Sequence, residues 1–229
     1  MRDIEQNPFE PEVQAPYEAQ GQEDEENVAK TGTTTVGIAV EDGVAVATDR
    51  RASLGGRFVA SKNVVKVEEV HPTGVVTLVG SVGGAQAFNE QLQAEVSLYR
   101  SRRGHDLSIP ALAQLAKNFA RSGPFLRINP IVAGVDEDGS HVYTVDPAGG
   151  LMEEDYTVNG SGMQVAYGTL ETEYEEGLDL DEATRVAAEA VQSAAERDSG
   201  SGNGLAVAQV DESGVEIDTY QDYTVVDDL

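Results

Sequence analysis

The stretch GTTTVGIAVEDGVAVATDRR at residues 32–51 contains two short apolar runs separated by a Glu-Asp-Gly turn. The runs cover residues 34–40 and 43–48. Because Asp-Gly between two such runs is typical of a tight β-hairpin, we predict two antiparallel strands here. The character of the chain changes abruptly at Thr33, which we therefore predict to be the start of the folded region.

The residues ahead of this hairpin have a different composition. Residues 1–32 carry nine acidic and two basic side chains, together with three prolines and no helical or strand period. Such a composition is typical of a disordered segment. A disordered leader that ends at Gly32, ahead of a strand that starts at Thr33, is compatible with a propeptide cut between the two. A tail without further role is the simpler alternative.

The pattern after the hairpin predicts further strands and two pairs of helices. We predict strands at 57–60, 63–70, 75–80, 130–136, 140–146, 156–158, 204–210 and 214–219, and helices from Ala85 to Gly104, after Ser108, at 163–176 and at 180–197. Consecutive strands are joined by hairpins, so the sheets are mainly antiparallel. We therefore predict an α+β fold with two antiparallel sheets face to face and paired helices outside.

The chain is strongly acidic, with 41 Asp and Glu against 15 Lys and Arg and a formal charge of −26. This balance argues against binding nucleic acid through phosphates and against an anionic membrane surface. Salt screens the self-repulsion of such a chain, so we interpret the acidity as adaptation to a salt-rich cytoplasm. An ordinary acidic cytosolic protein is the alternative. Without a secretory signal or an apolar run near the roughly 20 residues of a membrane span, we expect a cytoplasmic protein.

The composition also limits the available chemistry. The chain has no cysteine and three scattered histidines, which excludes thiol catalysis and disulfides and makes a metal site or cofactor unexpected. It has no G-x-S-x-G, P-loop or H-E-x-x-H motif. Threonine is a weak nucleophile that needs a nearby base. An α-amino group, with a pKa of about 7.7–8.0, is a suitable one, so an N-terminal Thr33 would carry both groups.

Two charged residues after the hairpin are candidates for the same site. Asp49 ends the second predicted strand, and its alternative role is a surface ion pair with Arg50 or Arg51. Lys66 lies in an apolar stretch, where it is either a gatekeeper of an edge strand or a buried cation beside a carboxylate.

Glycines and hydroxyls in three loops complete the set of candidates. Gly80 lies between a predicted strand and a helix, where a backbone N–H can stabilise an oxyanion, and a tight turn is the alternative. Ser161, with Asp198 and Ser201 in the loop after the fourth helix, could supply hydroxyls and a carboxylate to a polar network. Ordinary loop and helix-end chemistry is the alternative for these three.

Five motifs in this order resemble an archaeal 20S proteasome β subunit, specifically one from a haloarchaeon. They are residues 32–51, the Lys62-Asn63…Lys66 strand, LVGSVGGAQ at 78–86, NGSGMQVAYGTLE at 159–171 and ERDSGSG at 196–202. The resemblance implies the four-layer αββα sandwich of N-terminal nucleophile hydrolases. It further implies a propeptide, residues 1–32, removed by autolysis between Gly32 and Thr33, and a catalytic domain at 33–229.

The resemblance also implies a threonine endopeptidase. The Thr33 hydroxyl would attack a peptide carbonyl, and water would hydrolyse the resulting ester. The implied supporting residues are Asp49 and Lys66 beside the nucleophile, Gly80 as oxyanion donor, and Ser161, Asp198 and Ser201 around the nucleophile and a water. Whether Lys66 or the Thr33 amine takes the proton stays open.

Two assignments depend on the alignment with that family. The loop at Gly55-Gly56 is one residue longer than in some members of the family, so aligning Lys66 rather than Val65 with the family's lysine requires a one-residue gap. Lys62 is a second lysine nearby, to which the family assigns a supporting role. The same alignment places four apolar residues in the first specificity pocket, which predicts chymotrypsin-like cleavage after bulky apolar residues. The four are Ala52, Val64, Leu78 and Val82.

The family further implies partners. These are proteasome α subunits and other β subunits in heptameric rings (α7β7β7α7), a regulatory AAA ATPase ring and unfolded protein substrates. A bacterial two-component ATP-dependent peptidase that also starts Thr-Thr is a rival, but it lacks the Arg-Asp-Ser-x-Ser-Gly loop. A non-catalytic structural β subunit is the other alternative. It would have lost Thr33, Asp49 or Lys66, and all three are present.

Overall fold

The structure is a computed structural model that describes residues 32–54, 57–121, 128–146 and 148–229. The predicted leader up to residue 31 lies outside these residues, as does the Gly55-Gly56 loop. The described strands are β1 (Thr34–Val40), β2 (Gly43–Asp49), β3 (Ala52–Leu54), β4 (Phe58–Ser61), β5 (Val67–His71), β6 (Gly74–Thr77), β7 (Ile131–Asp136), β8 (Gly139–Val145), β9 (Leu151–Glu153), β10 (Tyr156–Gly160), β11 (Leu205–Asp211) and β12 (Gly214–Tyr220). The described α-helices are α1 (Val82–Arg103), α2 (Ile109–Ala120), α3 (Met163–Glu173) and α4 (Leu180–Arg197).

Two five-stranded antiparallel sheets form the centre of the fold. The first has the strand order β10-β1-β2-β11-β12, and the second runs β5-β6-β7-β8-β9. The predicted hairpin of β1 and β2 is confirmed, with Val40 opposite Gly43 and Thr35 opposite Thr48. Strands β3 and β4 form a separate two-stranded hairpin.

Three layers of apolar side chains hold the sheets and helices together. The layer between the sheets contains Val46, Ile131 and Val142. Helices α3 and α4 cover the outer face of the first sheet, and the alanines of α4 allow a close approach. Helices α1 and α2 cover the second sheet with larger residues such as Phe88. The predicted α+β sandwich of four layers, helices–sheet–sheet–helices, is therefore confirmed.

Two predicted helix boundaries are also confirmed. Asp179 caps α4 by accepting a hydrogen bond from the backbone N–H of Glu182, whose side chain accepts one from the Asp179 N–H. This reciprocal pair is a capping box. Helix α1 ends at Gly104, which has a φ of +76°. Glycine adopts this left-handed conformation without steric cost.

Three predicted elements are shorter than expected. The strand predicted at 63–70 begins only at Val67, because Val64 donates singly to the Arg50 carbonyl rather than joining a regular ladder. The strand predicted at 75–80 ends at Thr77. Gly80, where the prediction had placed the end of the strand, has a φ of +108°. The helix predicted at 163–176 ends at Glu173, since the next residue is extended.

None of the helices in the described ranges is long and apolar enough to cross a membrane.

Candidate active site

The candidate site lies where β1 begins, at one end of the interface between the sheets. Thr33 directly precedes β1 and is 3% exposed. Its carbonyl lies against Gly160, where a Cβ would come within 2.1 Å of the Thr33 oxygen. Gly160 also has a φ of +105°, so both space and conformation require glycine at this position.

Asp49 contacts both of the other residues predicted to act at this site, Thr33 and Lys66. It ends β2, is fully buried, and its Oδ1 lies 2.7 Å from the Lys66 Nζ and 3.1 Å from the Thr33 Oγ1. The same oxygen accepts a hydrogen bond of 2.9 Å from the backbone N–H of Thr34. The nucleophile candidate, the lysine and the carboxylate therefore touch one another.

The second carboxylate oxygen of Asp49 is held by the backbone. Oδ2 accepts hydrogen bonds of 2.9 Å from the N–H groups of Arg51 and Gly202. The guanidinium of Arg50 instead donates to the Tyr220 carbonyl. The alternative of a surface ion pair between Asp49 and a neighbouring arginine is therefore wrong.

Lys66 is buried and its Nζ lies 2.5 Å from the Thr33 Oγ1. Burial lowers the pKa of Lys66 below its ordinary value, and the adjacent Asp49 carboxylate opposes that shift without cancelling it. A lysine in this state loses its proton more readily than an exposed one. The gatekeeper alternative is wrong, because a gatekeeper exposes its charge at a sheet edge.

The neighbours of Lys66 point their side chains elsewhere. Val65 packs against the apolar layer between the sheets. Lys62 is exposed to solvent. Of these three residues, Lys66 is the one whose side chain reaches Thr33.

A second cluster of polar side chains lies at the backbone nitrogen of Thr33. The Thr33 backbone nitrogen donates to the Ser161 Oγ at 3.1 Å, and that hydroxyl donates to the Asp198 Oδ2 at 2.5 Å. The Ser201 hydroxyl donates to the same Asp198 oxygen at 2.6 Å. The structure thus brings the three loop residues together, with Ser161 in contact with the backbone nitrogen of Thr33 and the other two connected to it through Asp198.

Sequence reasoning missed two residues of this group. The Oγ1 of Thr34 lies 2.7 Å from the Ser201 hydroxyl, which ties β1 to the loop after α4. The Arg51 guanidinium donates to the Asn203 Oδ1 at 2.8 Å and to the Ser199 carbonyl at 2.9 Å. Their only sequence signal is adjacency to Thr33 and Asp49, which does not show what they contact.

A small cavity of about 20 Å³ opens beside Thr33 and Lys66. All four residues predicted for the specificity pocket line it, together with Gly32, Arg51, Gly80 and Ala85. Its exposed lining is mainly apolar. This lining suits an apolar side chain. The role of these residues in specificity stays a prediction.

No group of three or more His, Asp or Glu side chains that could hold a metal ion occurs within residues 32–54, 57–121, 128–146 and 148–229. The chemistry that the described side chains offer is nucleophilic and acid–base. A hydroxyl lies between an amine and a carboxylate, and a second carboxylate lies behind the backbone nitrogen.

Two sheets between helix pairs, with a threonine at the start of a central strand, are the architecture of N-terminal nucleophile hydrolases. Residues 29–210 match the family model described as Proteasome subunit. The chain is 62% identical to "Proteasome subunit beta" of Natrialba magadii over 221 residues, 96% of this chain and 91% of that protein. It is 63% identical to "Proteasome subunit beta 2" of Haloarcula marismortui over 216 residues, 94% of each. The chain belongs to the proteasome subunit family, among the β subunits of haloarchaea.

Proposed function

We propose that this chain is a catalytic β subunit of a 20S proteasome, a threonine endopeptidase that hydrolyses unfolded proteins. The observation that carries the proposal is the contact of 2.5 Å between the Lys66 Nζ and the Thr33 Oγ1, with Asp49 bonded to both. A hydroxyl becomes a useful nucleophile when a base lies within hydrogen-bond reach and a third group orients that base. A non-catalytic subunit has no need of this buried arrangement.

Maturation would free the nucleophile. In this proposal residues 1–32 form a propeptide that self-cleavage removes between Gly32 and Thr33, which leaves residues 33–229 as the catalytic domain. The cut converts the Thr33 amide nitrogen into an α-amine, and that nitrogen already donates to Ser161. The amine would therefore appear within an existing polar group, beside the hydroxyl that it helps to activate.

The geometry supports a two-step hydrolysis. Thr33 Oγ attacks the peptide carbonyl carbon, and its proton passes to Lys66 or to the α-amine, two bases that titrate as a coupled system. The lowered pKa of Lys66 favours its neutral, proton-accepting form. Gly80 lines the cavity beside Thr33, and we assign its N–H the role of oxyanion donor. Water then hydrolyses the ester and regenerates the hydroxyl.

The loop residues would order the amine and the water. Asp198 accepts hydrogen bonds from both Ser161 and Ser201, so two hydroxyls are fixed by one carboxylate. Because each hydroxyl donates its one proton to Asp198, the Ser161 oxygen is left to accept a hydrogen bond from the α-amine. Such pre-organisation is how enzymes lower the cost of orienting a nucleophile.

The apolar lining of the cavity is the observation behind the proposed preference for bulky apolar residues before the cut. Ala52, Val64, Leu78 and Val82 contribute uncharged walls. Of the two charged side chains at its edge, Lys66 is paired with Asp49, and Arg51 is bonded to Asn203 and Ser199. A charged substrate side chain would lose its hydration without gaining a partner. We therefore propose chymotrypsin-like cleavage.

Assembly follows from the family. We propose heptameric rings with proteasome α subunits and further β subunits, served by an AAA ATPase ring in the cytoplasm. Residues 1–32 carry −7 of the formal charge of −26, so residues 33–229 carry −19. Rings bring these like charges together, and salt screens their repulsion. Ring assembly should consequently be the step that depends most strongly on salt.

The test is to co-express the full chain with a haloarchaeal α subunit, purify the particles in molar KCl and sequence the β N-terminus. We expect wild-type chains to begin at Thr33 and to cleave a fluorogenic peptide after an apolar residue. Thr33→Ala should keep its leader and lose peptidase activity by at least about a thousandfold, because the reacting group is gone. The control Thr172→Ala removes an exposed hydroxyl on α3 and should behave as wild type. Active particles with an intact Met1 would end the proposal.

A further inference from the structure

The residue before the predicted cut is packed against a second glycine from a distant loop. A Cβ placed on Gly32 would lie 2.2 Å from the Gly200 Cα, and a Cβ placed on Gly200 would lie 2.4 Å from the Gly32 Cα. Real Cβ atoms do not approach other atoms so closely. Within the precursor, neither position has room for a side chain.

The requirement for glycine at position 200 comes from space alone. Neither Gly32 nor Gly200 has a φ in the left-handed region, so an alanine could adopt either backbone conformation. The Gly200 N–H, which donates to the Asp198 Oδ1, would remain in an alanine variant. Apart from Gly32, the nearest obstacle to a Cβ at position 200 is the Ser161 Oγ, at 3.0 Å. A contact of 3.0 Å requires the Ser161 hydroxyl to shift by only a few tenths of an ångström, whereas the 2.4 Å contact with the Gly32 Cα requires the backbone to move.

A hydrogen bond holds Gly32 as well. Its backbone nitrogen donates to the Ser53 Oγ at 3.0 Å, and Ser53 is 2% exposed within β3. Gly32 is therefore held by β3 through this bond and by the loop after α4 through contact with Gly200. The Thr33 hydroxyl lies one residue away, bonded to Lys66.

We propose that Ser53 and Gly200 are positioning residues for self-cleavage, which act on Gly32 only while the leader is attached. The inference rests on the proposed function, since it assumes that Thr33 attacks the bond that precedes it. Ser53 holds the Gly32 nitrogen through a hydrogen bond, and Gly200 lies against the Gly32 Cα. Together the two residues set the direction of the Gly32 carbonyl relative to the Thr33 hydroxyl.

The reaction that they position is an acyl shift followed by hydrolysis. The Thr33 Oγ forms a bond to the Gly32 carbonyl carbon, the bond from that carbon to the Thr33 nitrogen breaks, and the hydroxyl proton ends on that nitrogen. Water then cleaves the ester, which releases the leader with a Gly32 carboxylate and restores the hydroxyl. No oxidant, reductant or co-reactant other than water is consumed.

The contact with Gly200 separates the leader from ordinary substrates. A substrate residue with a side chain cannot take the place of Gly32, because its Cβ would meet the Gly200 backbone. Such a residue has to bind with its side chain in the apolar cavity instead. The leader and the substrates would thus approach the same hydroxyl in different orientations.

The experiment compares two forms of each variant, co-expressed with the α subunit. One form is the full chain, in which the fraction of β subunits that begin at Thr33 is followed over time by mass spectrometry. The other contains residues 33–229 behind a single methionine that the host aminopeptidase removes. Residues 33–229 contain both sheets and all four described helices, so this form retains the fold. Its peptidase activity needs no self-cleavage.

We expect Gly200→Ala to slow leader removal by about a hundredfold or more, since misplacement by about 1 Å costs that much. Ser53→Ala should slow it about two- to tenfold, the value of one hydrogen bond. In the leaderless form both variants should keep peptidase activity within about threefold of wild type. The control Gly168→Ala changes a glycine with open space around it. The control Ser140→Ala removes a hydroxyl without a hydrogen-bond partner in the described chain. Both controls should mature at the wild-type rate.

Two results would overturn the inference. Leader removal at the wild-type rate in Gly200→Ala would show that the close contact does not matter. Equal losses in the full and leaderless forms would show a general structural role instead. Failure of the proposed function looks different, since wild-type full chain would then keep its leader and the leaderless form would lack activity.

Discussion

The two sheets contribute to the candidate site in different ways. The first sheet supplies Asp49 from the regular end of β2 and Thr33 from the residue directly before β1. The second sheet supplies Lys66 from the irregular residues before β5, and the cavity walls Leu78 and Gly80 from those after β6. The distance between the lysine and the hydroxyl therefore depends on how one sheet is seated on the other.

The largest effect is expected from substitution of Lys66, whose side chain reaches from the second sheet to Thr33 at the start of the first. Lys66→Met keeps an unbranched side chain in place but removes the base, so peptidase activity of the leaderless form should fall about 10²- to 10⁴-fold. Lys62→Met is the matched control, because Lys62 is exposed and does not reach Thr33. Activity in Lys66→Met within threefold of the control would show that the second sheet contributes no base.

Packing between the sheets should matter for catalysis as well as for stability. Ile131 is fully buried in the layer between them, and Ile131→Ala should lower the free energy of unfolding by about 2–5 kcal/mol. Leu112→Ala makes a comparable hole under α2, outside that layer. Denaturation and peptidase assays in molar KCl should show a similar loss of stability in both and the larger loss of activity in Ile131→Ala. The reverse ranking of activities would break the comparison.

The dependence of kcat/KM on pH tests whether Lys66 acts as a base. Because burial lowers the pKa of Lys66, its neutral form is reached at a lower pH than that of an exposed lysine. Below that pKa the neutral fraction, and with it kcat/KM, should fall about tenfold for each unit of pH. The α-amine of Thr33 changes the rate in the same direction. Activity that declines as the pH rises from acidic to neutral would contradict a base in this position.

The smallest effect concerns the first sheet and its helices alone. Asp179→Ala removes the cap of α4 and should cost about 1 kcal/mol of stability, with peptidase activity unchanged. Glu175→Ala, an exposed acid ahead of the helix, is the charge-matched control and should cost less. If Asp179→Ala lost activity instead, the position of Asp198 at the far end of α4 would depend on the cap.

The regular half of the site was easier to predict than the irregular half. Alternating apolar residues and an Asp-Gly turn were enough to predict β1 and β2, and with them the place of Asp49. The same rules extended a strand through Lys66, because its apolar neighbours suggest a ladder that the structure does not form. The contact of Gly32 with Gly200 could not be predicted, since it joins segments that no local pattern relates.

The hydrogen bonds of Asp49 connect the candidate site to the completion of folding. Besides the Thr33 hydroxyl and the Lys66 amine, its two oxygens accept hydrogen bonds from three backbone N–H groups, those of Thr34, Arg51 and Gly202. Gly202 lies 153 positions further along the chain. Contacts over such separations form late, because the chain between them has to be ordered first. If Thr33 acts only when this carboxylate is fully bonded, each short β chain marks a molecule that completed its fold. The ratio of chains that begin at Thr33 to chains that keep residues 1–32 would then measure how far folding has progressed in a sample.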